Sequence, residues 1–226
     1  MNIALILSGG TGTRFGSDIP KQYIEVCGKM IISYCLETII NHQMIDFVQI
    51  VADKNWHKFI LENINSEKFM GFSEVGENRQ LSIYNGLADI VGYANENDYV
   101  LIHDAARPLV SAEMITNCIK TLEHHDGVLP VLPMKDTVYF SDDGKCISQL
   151  VDRSKIYAGQ APEAFRLSKY LAANEALMPE KILAINGSTE PAIIAGMDIA
   201  MIDGDEKNFK ITTKADLEKF KEYMKL

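Results

Sequence analysis

The chain has 226 residues, is 47% hydrophobic and 23% charged, and carries a formal net charge of −9 at neutral pH. An acidic chain of this size can bury the core of one ordinary globular domain, and it lacks the positive field that nucleic acid or an anionic membrane surface demands. No apolar run approaches spanning length, the first strand is too short for a signal peptide, and Cys27, Cys35, Cys118 and Cys146 have neither metal nor disulfide spacing, so the expectation is a cytoplasmic protein with reduced thiols.

In chain order, residues 3–7 form an apolar, unalternated run that reads as a strand buried on both faces. A glycine-rich segment follows, Ser8-Gly9-Gly10-Thr11-Gly12-Thr13-Arg14-Phe15-Gly16, and then Pro20-Lys21-Gln22-Tyr23. The spacing of apolar residues predicts a helix over 31–40, a strand over 47–52 and a helix over 56–64 capped by Asn55. A short strand over 72–75 leads through Gly76-Glu77-Asn78-Arg79 into an amphipathic helix over 80–90. Residues 99–104 form another buried strand that ends on His103 and Asp104. Then come a helix over 112–122 capped by Ser111 and a strand over 127–132, with Pro130 marking an edge or a break. Segments 137–140 and 146–151 predict a β-hairpin around a polar turn containing Gly144, and such a ribbon needs a surface to lean on. The C-terminal part reads as a helix over 167–177, a helix starting at Ser188-Thr189-Glu190-Pro191 and a strand over 199–202. A closing helix stands behind an imperfect capping box, Thr213-x-x-Asp216.

This alternation predicts an α/β protein with a mainly parallel sheet between helical layers. Ligands of such sheets sit beyond the carboxyl ends of the strands, where Ser8-Gly9-Gly10, Gly76 and Asp104 all fall. Without Cβ atoms the loop can turn several backbone N–H groups toward one anion, and Arg14 and Lys21 add two fixed positive charges. The loop is not the dinucleotide fingerprint, whose third glycine opens a helix, and no Gly-Lys-Ser/Thr closes it as in a P-loop. The pattern points to a polyphosphate.

Further motifs accumulate downstream. Arg79-Gln80-x-Ser82, His103-Asp104-Ala105-Ala106-Arg107-Pro108, Lys135-Asp136-Thr137, Asp152-Arg153-Ser154, Gly159-Gln160-x-Pro162 and Asn208-x-Lys210-Ile211-Thr212 follow the two N-terminal motifs. In this order, over almost the whole chain, they resemble the 2-C-methyl-D-erythritol 4-phosphate cytidylyltransferases and the related ribitol-5-phosphate cytidylyltransferases. The resemblance implies a Rossmann-like three-layer sandwich over 1–226 with a protruding β-hairpin arm over 134–156, through which two copies would pair. It implies transfer of CMP from CTP to a sugar or polyol phosphate, release of pyrophosphate, and Mg²⁺ or another divalent cation.

The resemblance also assigns roles. Arg14 and Lys21 would hold the triphosphate and stabilise the five-coordinate transition state. Leu7, Ser8, Gly9 and Gly10, with Gly76 and Ser82, would hold cytosine and ribose. Thr11, Gly12, Arg79 and Ala105 complete the nucleotide side, and Asp104 lies near metal-bridged phosphates. Arg107, Thr137, Arg153, Thr189 and Lys210 would bind the acceptor, with Arg153 and Lys210 also serving catalysis. His103 reads as structural, because a phosphate nucleophile is already anionic and needs no general base.

Two departures stand out. The family commonly has Thr-Pro-Gln where this chain has Ala161-Pro162-Glu163, and Thr-Asp-Asp/Glu-Ala where it has Thr189-Glu190-Pro191-Ala192. The second lies by the acceptor. Arg79-Gln80-x-Ser82, Tyr84-Asn85-Gly86-Leu87 and Pro133-Met134-Lys135-Asp136-Thr137 lean toward the methylerythritol enzymes, with a polyol-phosphate enzyme of cell-wall or capsule synthesis as the alternative. Arg14, Lys21, Arg153 and Lys210 together argue against a non-catalytic nucleotide-binding paralogue. Arg79-Gln80 and Asp152-Arg153-Ser154 argue against a sugar-1-phosphate uridylyl- or thymidylyltransferase.

Overall fold

The structure is a computed structural model that describes residues 1–10, 12, 15–16, 19–64 and 66–225. The elements run β1 (Asn2–Leu7), β2 (Glu25–Val26), β3 (Lys29–Met30), α1 (Ile31–Ile40), β4 (Phe47–Val51), α2 (Lys54–Leu61), β5 (Phe69–Ser73), α3 (Arg79–Ile90), β6 (Tyr99–Asp104) and α4 (Ala112–Leu122). They continue with β7 (Gly127–Pro133), β8 (Val138–Phe140), β9 (Gln149–Val151), β10 (Tyr157–Gly159), β11 (Glu163–Arg166), α5 (Leu167–Glu175), α6 (Glu190–Ile194), β12 (Ile199–Asp203) and α7 (Lys214–Tyr223).

The main sheet has eight strands, with β1 between parallel partners β4 and β6, and β5 beyond β4. On the other side β11 runs antiparallel between β6 and β7, β10 pairs antiparallel with β7, and β12 closes the sheet parallel to β7. The period of two in β1 explains the layers. Ala4 and Ile6 pack with Ile32, Leu36 and Ile39 of α1, Ile60 of α2 and Ile115 of α4. Ile3 and Leu5 pack on the opposite face with Ile83 and Leu87 of α3, Tyr170 of α5 and Ala192 of α6. An unalternated apolar run is what a strand covered on both faces requires. The sandwich has three layers, as the sequence predicts.

A third cluster, Phe15, Val26, Ile31, Ile211, Leu217 and Phe220, fixes α7 against the segment that follows the glycine loop. Thr213 Oγ1 accepts from the Asp216 amide at 3.2 Å, and the Asp216 carboxylate accepts from the Thr213 amide at 2.7 Å. The capping box is therefore complete with Asp in place of Glu.

The structure departs from the sequence reading at several elements. The helix expected over 56–64 is α2, which begins two residues earlier because Asp53, not Asn55, is its cap, its carboxylate accepting from the Asn55 amide at 2.9 Å. Asp and Asn cap about equally well, so composition alone does not choose between them. The strand expected over 72–75 is β5, displaced toward the N-terminus, with a register irregularity in its pairing between Val48 and Gln49. Strands β10 and β11, three and four residues long, are too short to show a period and have no counterpart in the sequence reading. Pro130 stands where the neighbour of β7 changes from β11 to β10, so it marks a break rather than an edge.

The arm is the antiparallel pair β8–β9, shorter than the predicted hairpin. Its apolar side chains point outward: Tyr139, Phe140, Ile147 and Leu150 are 54, 54, 67 and 63% exposed.

Candidate active site

The end of β1, the segment between β5 and α3 and the end of β6 meet at a cleft of about 390 Å³. Leu7, Gly9, Gly10, Gly12, Lys21, Gly76, Arg79, Ser82, Asp104 and Lys210 line it, together with Phe15, Gln22, Val75, Glu77, Asn78, Ala106 and Thr212. Most of the nucleotide-side residues named from the sequence thus converge.

Two glycines allow the walls to close. A Cβ on Gly9 would stand 2.6 Å from a Val75 methyl, and one on Gly76 2.7 Å from the backbone of Leu81. No real side chain tolerates such contacts, so the β1 loop and the α3 turn approach only because both residues lack Cβ. Ser82 Oγ accepts from the Gly76 amide at 3.0 Å and donates to the Asn78 carbonyl at 3.0 Å, which holds that turn against the start of α3. Asn78 caps α3, its side-chain Oδ1 accepting from the Leu81 amide at 2.8 Å.

The loop after β1 is held by residues that the sequence reading gave no role. Gln22 Nε2 donates to the carbonyls of Ser8 and Gly10, both at 2.8 Å. The Tyr23 hydroxyl donates to the Ser8 carbonyl at 3.0 Å and accepts from Ser8 Oγ at 2.8 Å. Trp56 of α2 stacks on the Tyr23 ring at 4.1 Å. Burial pushes the Tyr23 phenol up to about 12, so it remains a hydrogen-bond donor at neutral pH. The signal was in plain view, an amide and a phenol directly after Lys21.

Asp104 is the electrostatic centre. Arg79 Nε and Nη2 both lie 3.1 Å from its Oδ1, Lys210 Nζ lies 2.9 Å from its Oδ2, and Arg107 Nε lies 3.6 Å from Oδ2. Burial alone would raise this carboxyl, but the three cations hold it well below the ordinary carboxylate range. The cleft floor is a cationic cluster around one buried anion.

The other named residues divide clearly. Ser8 and Ala105 are buried, and the Ala105 amide donates to the Leu7 carbonyl at 3.0 Å, so Ala106 lines the cleft in its place. Arg107 is turned inward, its Nη1 donating to the Asn208 carbonyl at 2.7 Å. Thr189 donates to the buried Glu163 carboxylate at 3.2 Å, and Glu163 lies 3.9 Å from Arg79 Nη2. Thr137 and Arg153 are exposed on the arm, outside the lining of the cleft, and Arg153 Nη1 donates to the Lys135 carbonyl at 2.5 Å. Arg14 and Thr11 lie outside the described residues.

His103 is fully buried behind Asp104, with Nε2 3.0 Å from the Arg107 carbonyl. That ring nitrogen donates the proton, and Nδ1 has no partner among the described residues. Burial lowers this imidazole to about 4. A group whose folded pKa lies below its unfolded value near 6.5 contributes stability that is complete above the unfolded value and is lost as pH falls toward the folded one. Between pH 7 and 5 that share is about 2 kcal/mol. Glu163, raised by burial, works in the opposite direction. The His103 share is therefore read as the difference between wild type and His103→Gln in denaturant unfolding at the two pH values, and equal slopes would refute it.

Among the described residues no group of three or more His, Cys, Asp or Glu side chains is placed to hold a metal ion. Asp104 is the one buried carboxylate lining the cleft, and both its oxygens already face cations. Such a donor set fits Mg²⁺ only as a passenger on a polyphosphate, which would draw those cations to itself.

The family model described as 2-C-methyl-D-erythritol 4-phosphate cytidylyltransferase matches residues 2–225. A protein of that name from Thermotoga neapolitana is 35% identical over 96% of this chain and 94% of its own length. A ribitol-5-phosphate cytidylyltransferase from Streptococcus agalactiae serotype III is 34% identical over 98% of this chain and 94% of its own. A crystal structure of 4-diphosphocytidyl-2C-methyl-D-erythritol synthase superposes with a TM-score of 0.83 at 25% identity, covering 99% of both chains. The corresponding synthase from Anaerococcus prevotii also gives 0.83, at 25% identity, over 100% of this chain and 96% of its own.

Proposed function

The chain belongs to the 2-C-methyl-D-erythritol 4-phosphate cytidylyltransferase family, and on that premise we propose that it transfers CMP from CTP to 2-C-methyl-D-erythritol 4-phosphate, a step of isoprenoid precursor synthesis. The observation that carries this reading is the cluster of Arg79, Arg107 and Lys210 on Asp104, beside Lys21 and the glycine loop. Two polyanions must meet there, and fixed cations on a cleft floor are what lowers the barrier to their approach. Lys21 and Arg14 would grip the triphosphate and hold the charge that develops at the α-phosphorus. Leu7, Gly9, Gly10, Gly76 and Ser82 would seat cytidine. Lys210 would pass from Asp104 to a phosphate oxygen as substrate arrives. When present, Mg²⁺ would neutralise charge across the phosphates, with Asp104 as its protein contact.

On the acceptor side, Arg107 stands behind the cleft lining, its guanidinium on Asp104 and the Asn208 carbonyl, while Thr137 and Arg153 ride on the arm. We place these two in the site of a second copy, reached by pairing of the exposed Tyr139, Phe140, Ile147 and Leu150 faces. The free thiols Cys27, Cys35, Cys118 and Cys146 suit a cytoplasmic setting, which cell fractionation checks.

Ribitol 5-phosphate is the competing acceptor, since the two relatives above stand almost level in identity. Pyrophosphate release with CTP and Mg²⁺ decides: turnover at least tenfold faster with 2-C-methyl-D-erythritol 4-phosphate is expected. The reverse preference moves the protein to polyol-phosphate synthesis. Sedimentation of the same preparation should give two chains per particle, and a monomer that turns over normally would overturn the shared-site reading of Arg153.

A further inference from the structure

Lys210, proposed above to pass from Asp104 to a phosphate oxygen, stands on a segment with no regular structure of its own. Residues 204–213 cross from β12 to α7 without helix or strand, and Lys210 Nζ reaches from there to Asp104 at 2.9 Å. Such a segment places a side chain only as well as it is itself held. It is pinned on both sides of Lys210. Downstream, the Ile211 amide donates to the Ala106 carbonyl at 2.8 Å, and the Ile211 side chain is fully buried. Upstream, the holding group is Gln160, which the sequence reading left without a role.

Gln160 follows β10 directly, its backbone amide donating to the Pro130 carbonyl at 2.8 Å, and its side chain is buried. Gln160 Oε1 accepts from the Asp205 amide at 3.0 Å, and Nε2 donates to the Asp205 carbonyl at 2.9 Å. One carboxamide thus meets both backbone polar groups of one residue, as a neighbouring strand would. The pairing fixes which end is which, because the N–H needs the oxygen and the carbonyl needs the nitrogen. Nε2 also lies 3.4 Å from the Asn208 carbonyl, which accepts from Arg107 Nη1 at 2.7 Å. The Asn208 side chain, fully buried, donates to the Ala161 carbonyl at 2.6 Å. Arg107 in turn lies 3.6 Å from Asp104. Asp104, Lys210, Asn208 and Arg107 therefore form a closed circuit, and Gln160 anchors it from outside.

We infer that Gln160 is a positioning residue for Lys210: its carboxamide fixes the 204–213 segment so that the ammonium stands where the reacting phosphate arrives. Gln160 is absent from the cleft lining, so it acts through Lys210 and not on substrate. A fixed charge works by its placement, and a shift of about 1 Å can cost roughly a hundredfold in rate. The inference rests on the cytidylyltransferase reading above. It separates turnover from nucleotide binding, because Gln22 and Tyr23 hold the glycine loop independently.

The test is a double-mutant cycle in the single-turnover rate of pyrophosphate release with the preferred acceptor. It compares wild type, Gln160→Met, Lys210→Ala and the double variant, with CTP binding by calorimetry and folding by thermal melting. Methionine keeps the length of glutamine but has no group to donate to the Asp205 carbonyl. Gln160→Met is expected to lower the rate at least tenfold in the wild-type background and less than twofold in Lys210→Ala. Its CTP affinity should stay within threefold of wild type. A residue that only stabilised the fold would impose the same factor in both backgrounds. Equal factors, an unchanged rate in folded Gln160→Met, or loss of CTP binding in step with the rate would each overturn the inference. Should Gln160→Met fail to fold, Gln160→Glu, of nearly the same shape, carries the cycle, and equal factors there are decisive against it. Wild type that turns over neither 2-C-methyl-D-erythritol 4-phosphate nor ribitol 5-phosphate overturns the functional reading itself, and the inference with it.

Discussion

Lys21→Ala should lower kcat by about two to three orders of magnitude, the usual cost of deleting one preorganised charge that faces a developing anion. The mechanism asks little of the protein besides positive charge in fixed places, so losing one such place is felt directly. Folding should survive. Lys21 is half-buried at the cleft, and the Gln22 and Tyr23 bonds that shape the region are made by those side chains themselves. Single-turnover pyrophosphate release, set beside the melting curve, separates the two quantities. Near-normal turnover in a folded variant would remove Lys21 from the mechanism. A collapse of melting temperature together with activity would make the residue structural instead.

Asp104→Asn should act in the opposite order, on stability first. The change leaves Arg79, Arg107 and Lys210 gathered around a neutral amide, and removing one partner of a buried ionic cluster typically costs about 3–5 kcal/mol. Arg79 and Lys210 keep roughly a third of their side chains in water, at 34% each, against 13% for Arg107. Solvent therefore screens part of the repulsion, and the low end, about 3 kcal/mol, is the better expectation. For a chain of this size that is a fall in melting temperature of roughly 6–12 °C. Added pyrophosphate should restore more of the loss in Asp104→Asn than it adds to wild type, because the freed cations bind it without competition. An unshifted melting temperature would mean that the cluster is not the electrostatic centre described above.

Much of this architecture is written in local pattern. The unalternated run at 3–7, the Ser111 and Thr213 caps and the placement of Gly76 and Asp104 just past strand ends each follow from one physical rule acting over a few residues. What escaped detection depends on partners distant in sequence. Strands β10 and β11 exist only because β7 and β6 offer them edges. Asp53 and Asn55 compete for one cap on equal terms. Nothing in the residues next to Glu163 announces that the fold brings Ser188, Thr189 and Arg79 around it. The same holds for Arg107, whose motif suggests a free ligand-binding guanidinium and whose side chain is largely shared between Asp104 and Asn208.

The stack of Trp56 on Tyr23 also gives the molecule an optical handle. Trp56 is the chain's single tryptophan, and its ring lies one residue's thickness from the hydroxyl that holds Ser8. Excited at wavelengths that the nine tyrosines do not absorb, the protein thus emits from one indole wedged behind the nucleotide loop. A ligand that reshapes the loop is expected to alter that emission, whereas one that settles only on the arm leaves it unchanged.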